Sequence, residues 1–73
     1  MFLIYASNST KIIECSSLEE AHRRFGELLA FARQRGAGVS ETEEHRWLIA
    51  PQSDDIYSIW IADKDNNTIF FKE

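Results

Sequence analysis

The stretch SLEEAHRRFGELLAFARQR, Ser17 to Arg35, decides the fold. Leu18, Ala21, His22, Phe25, Leu28, Leu29 and Ala32 recur at the spacing of one helical face, so the segment reads as an α-helix that buries a single side. A capping box opens it: Ser17 can accept from the amide of Glu20 while Glu20 reaches back, and Ser16 with Glu19 offers an equivalent register. Glu19 with Arg23 and Glu20 with Arg24 are i, i+4 pairs in the favourable order, and Arg33 and Arg35 sit near the negative end of the helix dipole. Gly36 and Gly38 supply the stop. This is the only helical pattern in the chain.

On either side the pattern changes to that of strands. Phe2 to Ala6 and Lys11 to Cys15 are β-branched and aromatic runs separated by the turn formers Ser7-Asn8-Ser9-Thr10, and they predict a hairpin. Val39 to Ala50 alternates loosely and is long for one strand, which leaves either a single bent strand or a break near Glu43-Glu44. Pro51 to Asp55 forms a turn, Ile56 to Ala62 alternates as a strand, and Asp63 to Asn67 turns the chain into Thr68 to Lys72. The expected fold class is α+β: an antiparallel sheet with one helix packed on one face, in the order ββαβββ with room for one further strand, all within a single domain spanning residues 1–73.

One helix covers one face of a sheet, so the residues on the other face carry the functional question. Tyr57, Ile59 and Ile61 share a side by alternation and belong under the helix, while Ser58 and Trp60 share the other. If the last hairpin keeps its apolar faces together, Ile69 and Phe71 join the core and Phe70 and Lys72 fall beside Trp60. Trp60 and Phe70 are then cross-strand neighbours, an aromatic pair that stabilises a hairpin by roughly 0.5 to 1 kcal/mol. They are also a candidate contact patch, because tryptophan is enriched at interface hot spots. The alternation places Trp47 on either side, and Phe31 falls off the helix stripe.

A domain of 73 residues buries only roughly 60% of its unfolded surface, so stability is expected to be marginal. With 44% hydrophobic residues, three glycines and one proline, the chain is expected to fold. The apolar start, Met1 to Ala6, is too short for a signal-peptide core or a membrane span, and Cys15 is the single cysteine. A cytoplasmic protein that makes no membrane contact is expected. The net charge is −4, with acids grouped at Glu41/Glu43/Glu44, Asp54/Asp55 and Asp63/Asp65, so a basic protein surface is a more natural partner than the phosphates of nucleic acid.

Known chemical motifs are missing. Asp63-Lys64-Asp65-Asn66-Asn67 begins like a calcium loop, but Thr68 stands where the loop needs glycine, so a hairpin turn is the expectation. Cys15, His22 and His45 match no zinc spacing, and the adjacent carboxylates do not form a converging acid and base pair. No phosphate loop, GxSxG or HExxH is present. The expectation is therefore a protein that is not an enzyme and uses no cofactor or metal.

In size, charge and architecture the chain resembles phage-encoded inhibitors, including anti-CRISPR proteins; no motif is shared, so the resemblance transfers no site residues. It implies an inhibitor that meets a basic, nucleic-acid-holding surface of another protein. The expected contact residues are Trp60, Phe70, Asp54, Asp55, Asp63, Asp65, Glu43 and Glu44, with aromatics supplying binding energy and acids supplying steering. Two other readings use the same face: a stacking platform for single-stranded nucleic acid, and the closure of a homodimer.

Overall fold

A computed structural model describes all residues, 1–73. The elements are β1 (Phe2–Ala6), β2 (Ile13–Cys15), α1 (Leu18–Gln34), β3 (Gly38–Glu41), β4 (Trp47–Ala50), β5 (Tyr57–Asp63) and β6 (Thr68–Ile69). The fold is α+β, one helix on an antiparallel sheet of six strands, with four strands after the helix. Val39 to Ala50 resolves into a hairpin, β3 and β4, because Glu43, Glu44 and His45 form a tight loop closed by Thr42 N–H to Arg46 O at 2.7 Å. No helix is long and apolar enough to cross a membrane.

The helix is built as its sequence directs. Ser17 Oγ accepts from the Glu20 amide at 3.1 Å, and Glu20 Oε1 accepts from the Ser16 amide at 3.0 Å, completing the box. This occupies the Glu20 carboxylate, and Arg23 pairs forward with Glu27 at 3.4 Å, so the expected pairs of Glu19 with Arg23 and Glu20 with Arg24 are replaced. At the other end Gly36 takes a left-handed φ of 83°, with Gly36 N–H bonded to Arg33 O and Ala37 N–H to Ala32 O, the paired bonds of a Schellman stop.

The strand order is β2-β1-β5-β4-β3, and β6 also pairs with β5. β4 lies along Tyr57–Ile59 and β6 along Ile61–Ala62, so the two share one edge of β5 and meet near Trp60. With β4 occupying that edge, the segment after Ile69 leaves the sheet, which ends β6 earlier than the expected Lys72. Phe71 turns inward against Phe25 (4.8 Å between centroids), His22 (5.4 Å) and Trp47 (6.1 Å), and Glu73 forms an ion pair with Arg33.

The helix crosses the sheet diagonally. It follows Cys15, which pairs with Phe2 at one end of the β2 edge, and it precedes Gly38, which pairs with Ala50 at the opposite end of the β3 edge. A diagonal leaves two corners of the sheet bare. Phe71 fills one. The core joins Ala21, Phe25, Leu29 and Ala32 of the helix to Ile4, Cys15, Ile49, Ile59 and Ile61 of the strands. Trp47 faces this core and is buried, which leaves Leu48 on the open side.

Candidate functional site

No secondary-structure element covers the second face of the sheet, and Trp60 stands near its centre. β5 has β1 on one side and the β4/β6 junction on the other. From β1, Tyr5 pairs with Trp60 in register and stacks on it, centroids 5.5 Å apart and planes 13° from parallel. Arg46, just before β4, places its guanidinium carbon 4.1 Å from the Trp60 ring centroid. The sequence directs this arrangement through pairing: Trp47 opposes Ile59, which carries Arg46 to the level of Trp60. Aromatic stacking and a cation over the ring both favour it, since the ring carries negative charge on its faces.

Phe70 is 49% exposed and falls after the end of β6, so it is not the cross-strand pair partner of Trp60 that alternation predicts. Its ring partner is His45, edge to face at 4.9 Å, while the ring stacked on Trp60 is that of Tyr5. Tyr5, Arg46 and His45 were not among the residues expected from sequence. Tyr5 was legible in principle, because alternation in Phe2–Ala6 sets it opposite the core-facing Ile4. The role of Arg46 and His45 depends on where the β3–β4 hairpin breaks.

The acidic groups separate into two sites. Glu43 and Glu44 sit in the β3–β4 turn beside His45 and Arg46, and Asp63 and Asp65 sit in the β5–β6 turn at the same end of the sheet. Both turns have one geometry, a three-residue loop whose last residue is left-handed: His45 with φ 62° and Asn66 with φ 66°. Asp63 serves its turn, accepting from the amides of Asn67 and Asp65 at 2.9 Å each. The backbone bond from Asn67, with the Asn67 side chain and the Asp65 amide adding to it, holds the Asp63 carboxyl below the usual range despite some desolvation. Asp54 and Asp55 lie at the opposite end of β5, about 20 Å away by the rise of a strand.

Those two carboxylates border the second bare corner on the helix side. Here the diagonal helix and the sheet enclose an open cleft of about 910 Å³. Ile13, Ile59 and Tyr57 form the sheet side, Leu28 and Phe31 the helix side, and the Pro51–Asp55 loop one rim. Phe31, off the helix stripe in sequence, is 56% exposed here, with the Arg35 guanidinium 5.4 Å from its ring centroid.

The remaining reactive types lie apart. Cys15 is buried at the end of β2; desolvation, and secondarily the Glu20 charge, pushes its thiol up against a smaller opposing effect of Arg24 and Arg23. His22 is on the helix against Phe71, and His45 is in the β3–β4 turn. Compared with protein-family models, curated proteins and solved structures, the chain finds no match.

Proposed function

We propose that this protein is a non-enzymatic interaction module that binds another protein through the uncovered face of its sheet. The observation that carries this reading is the Tyr5–Trp60–Arg46 row, a prearranged aromatic and guanidinium group on a face that no element of the chain covers. Phe70 and Leu48, the latter 39% exposed, extend the apolar area on the same side. Tryptophan, tyrosine and arginine are the residue types that dominate interface energetics, and a side chain already held in place loses little entropy on binding.

Glu43, Glu44 and Asp65 surround the row at one end and supply steering toward a basic surface; Asp63 contributes charge while its oxygens remain engaged in its turn. The partner class that fits is a protein with a basic surface, including one that otherwise holds nucleic acid, which makes inhibition by occupancy the natural consequence. The same row disfavours a single-strand platform. Base stacking needs a free ring face, and Trp60 is approached by Tyr5 from one neighbouring strand and by Arg46 from the other side.

The test is a pull-down from host lysate, followed by affinity measurement on the captured protein. Trp60→Ala is expected to weaken binding at least about tenfold while the variant stays folded, as a cooperative urea transition reports, and binding is expected to fall as salt rises. A partner whose affinity responds to neither change removes the proposal, as does tight binding of a single-stranded oligonucleotide instead.

A further inference from the structure

We infer that the β3 edge of the sheet pairs with the β3 edge of a second copy, antiparallel about a twofold axis at Ser40, so that both chains share one continuous sheet. This pairing rests on the backbone ladder and stands independently of the open-face reading. In an antiparallel ladder, consecutive residues turn their N–H and C=O alternately to one neighbouring strand and to the other. Three bonds fix that phase: Ser7 N–H to Ser58 O at 2.8 Å, Thr42 N–H to Arg46 O at 2.7 Å, and Asp63 N–H to Asn67 O at 3.0 Å. Carried through the strand registers, they bond Gly38 and Ser40 to β4 and turn Val39 and Glu41 outward, with N–H and C=O of both unmet.

The other edges offer less. In β2 the phase turns Glu14 alone outward; beyond it the Ser16 amide is taken by the Glu20 carboxylate, and next to β2 the Ala6 carbonyl is taken by the Ser9 amide. In β6 it turns out Thr68 alone. The β3 edge thus has the longest run of unmet backbone groups, and Gly38 to Thr42 contain no lysine, proline or bulge to turn a strand away.

The same residues choose the occupant. A foreign peptide gains specificity from pockets for its alternate side chains, and Gly38, Ser40 and Thr42, which share the open side, are too small to form any. A second copy brings a strand already extended, so little ordering cost opposes pairing. The phase admits few twofold registers. Val39 against Val39 gives a single bonded pair, because the Ala37 amide is already given to Ala32 O. Glu41 against Glu41 sets like charges directly opposite. Val39 against Glu41 gives two bonded pairs, brings the Ser40 hydroxyls together across the axis, and lays the stem of each Glu41 beside a Val39. So small an interface implies a dissociation constant on the order of 0.1 to 1 mM. Both helices fall on one side of the joined sheet and both Tyr5–Trp60–Arg46 rows on the other, so a partner with two sites would bind the pair more tightly than either copy.

The experiment follows the isotopically labelled protein by NMR and sedimentation from about 0.05 to about 2 mM, with a further sample that mixes labelled and unlabelled chains. Signals of Val39, Ser40 and Glu41 are expected to move with concentration, and the Val39 and Glu41 amides to exchange at least about twofold more slowly at the top of the range. The mixed sample should show cross-peaks between the Val39 methyls of one chain and Glu41 of the other. Proline at an outward-facing position removes a donor and spares the β4 ladder, so Glu41→Pro should weaken association at least about tenfold while keeping a cooperative urea transition. Glu41→Gln keeps the backbone groups and should associate at least as well as the parent. Added salt should tighten the dimer, since two chains of charge −4 repel, whereas it weakens binding to a basic partner. A monomer at the highest concentration overturns the inference, as does undiminished association of a folded Glu41→Pro. Absence of the cross-peaks in the parent overturns it too, whether or not the proline variant folds. Concentration shifts centred on Trp60 or Glu14 would assign the contact to the open face or the β2 edge instead. Loss of the Trp60→Ala effect on a protein partner removes the open-face proposal and leaves this one standing.

Discussion

Trp60 and Tyr5 stack between adjacent strands, one from β5 and one from β1, and the Arg46 guanidinium reaches the same indole from beyond β4. Three segments distant in sequence therefore converge on one ring, which makes Trp60 a structural element of the sheet as well as a proposed contact.

Trp60→Ala should lower unfolding free energy by about 1–3 kcal/mol, less than a fully buried tryptophan because the ring is partly exposed. Tyr5→Phe keeps the stack and should change stability little. Urea denaturation of both variants checks this, and a Trp60→Ala midpoint equal to the parent's would show that the stack contributes nothing.

Phe71→Ala removes the ring that fills one corner of the core against Phe25, His22 and Trp47. The expected cost, about 3–5 kcal/mol, is comparable with the whole stability of a domain of this size. Glu73→Gln breaks only an ion pair whose side chains are well exposed, so a small shift that shrinks in high salt is expected. Thermal melts at two salt concentrations separate the two effects.

Acid should destabilise the fold through Asp63 and Glu73. The Asn67 backbone bond lowers the first carboxyl from its ordinary value of 3.8, and the hydrogen bond from Arg33 lowers the second from 4.5. The folded state then holds these protons less readily than the unfolded chain. Their contribution is complete above the ordinary values and is lost as pH falls through the lowered ones. Asp63→Asn keeps an oxygen to accept the turn bonds and removes the titration, so its melting temperature should fall less steeply below pH 4.5 than that of the parent.

His45→Gly relieves a left-handed backbone at a non-glycine residue, worth about 1 kcal/mol, and deletes the ring that meets Phe70. A raised urea midpoint together with weaker partner binding is expected. If binding is unchanged, His45 has no part in the contact surface.

Cys15 should resist thiol reagents in the native state, being buried with its thiol pushed up by desolvation. Labelling should follow the unfolding equilibrium and accelerate in urea. Rapid labelling in buffer would contradict the packing described for β2.

Local rules recovered the elements well. The capping box at Ser17 and Glu20, the Gly36 stop and the alternation in Phe2–Ala6 each act within a few residues, so the chain displays them directly. They also placed Phe71 inside and Phe70 outside. What they could not reach depends on strand order. Pairing of β5 with β1 brings Tyr5 to Trp60, and the break in the β3–β4 hairpin brings Arg46 there and His45 to Phe70. Asp54 and Asp55 resemble the other acids in composition, yet the length of β5 puts them at the other end of the sheet and on the opposite face, beside a cleft created by the crossing angle of the helix.

The position of β5 also governs how the chain can fold. The β1–β2 hairpin and the β3–β4 hairpin do not pair with each other; β5 alone joins them. Isolated hairpins are marginal in water, and in residues 1–50 the two hairpins meet only through the helix that packs on β1, β2 and β3, with a gap in the sheet where β5 belongs. Synthesis must reach Tyr57–Asp63 before the halves are bridged, and the pairing of β1 with β5 closes a loop of more than half the chain. Folding is therefore expected to be slow for a chain this short and to proceed without a populated half-formed sheet, and a nascent chain cut short before β5 becomes a substrate for proteases.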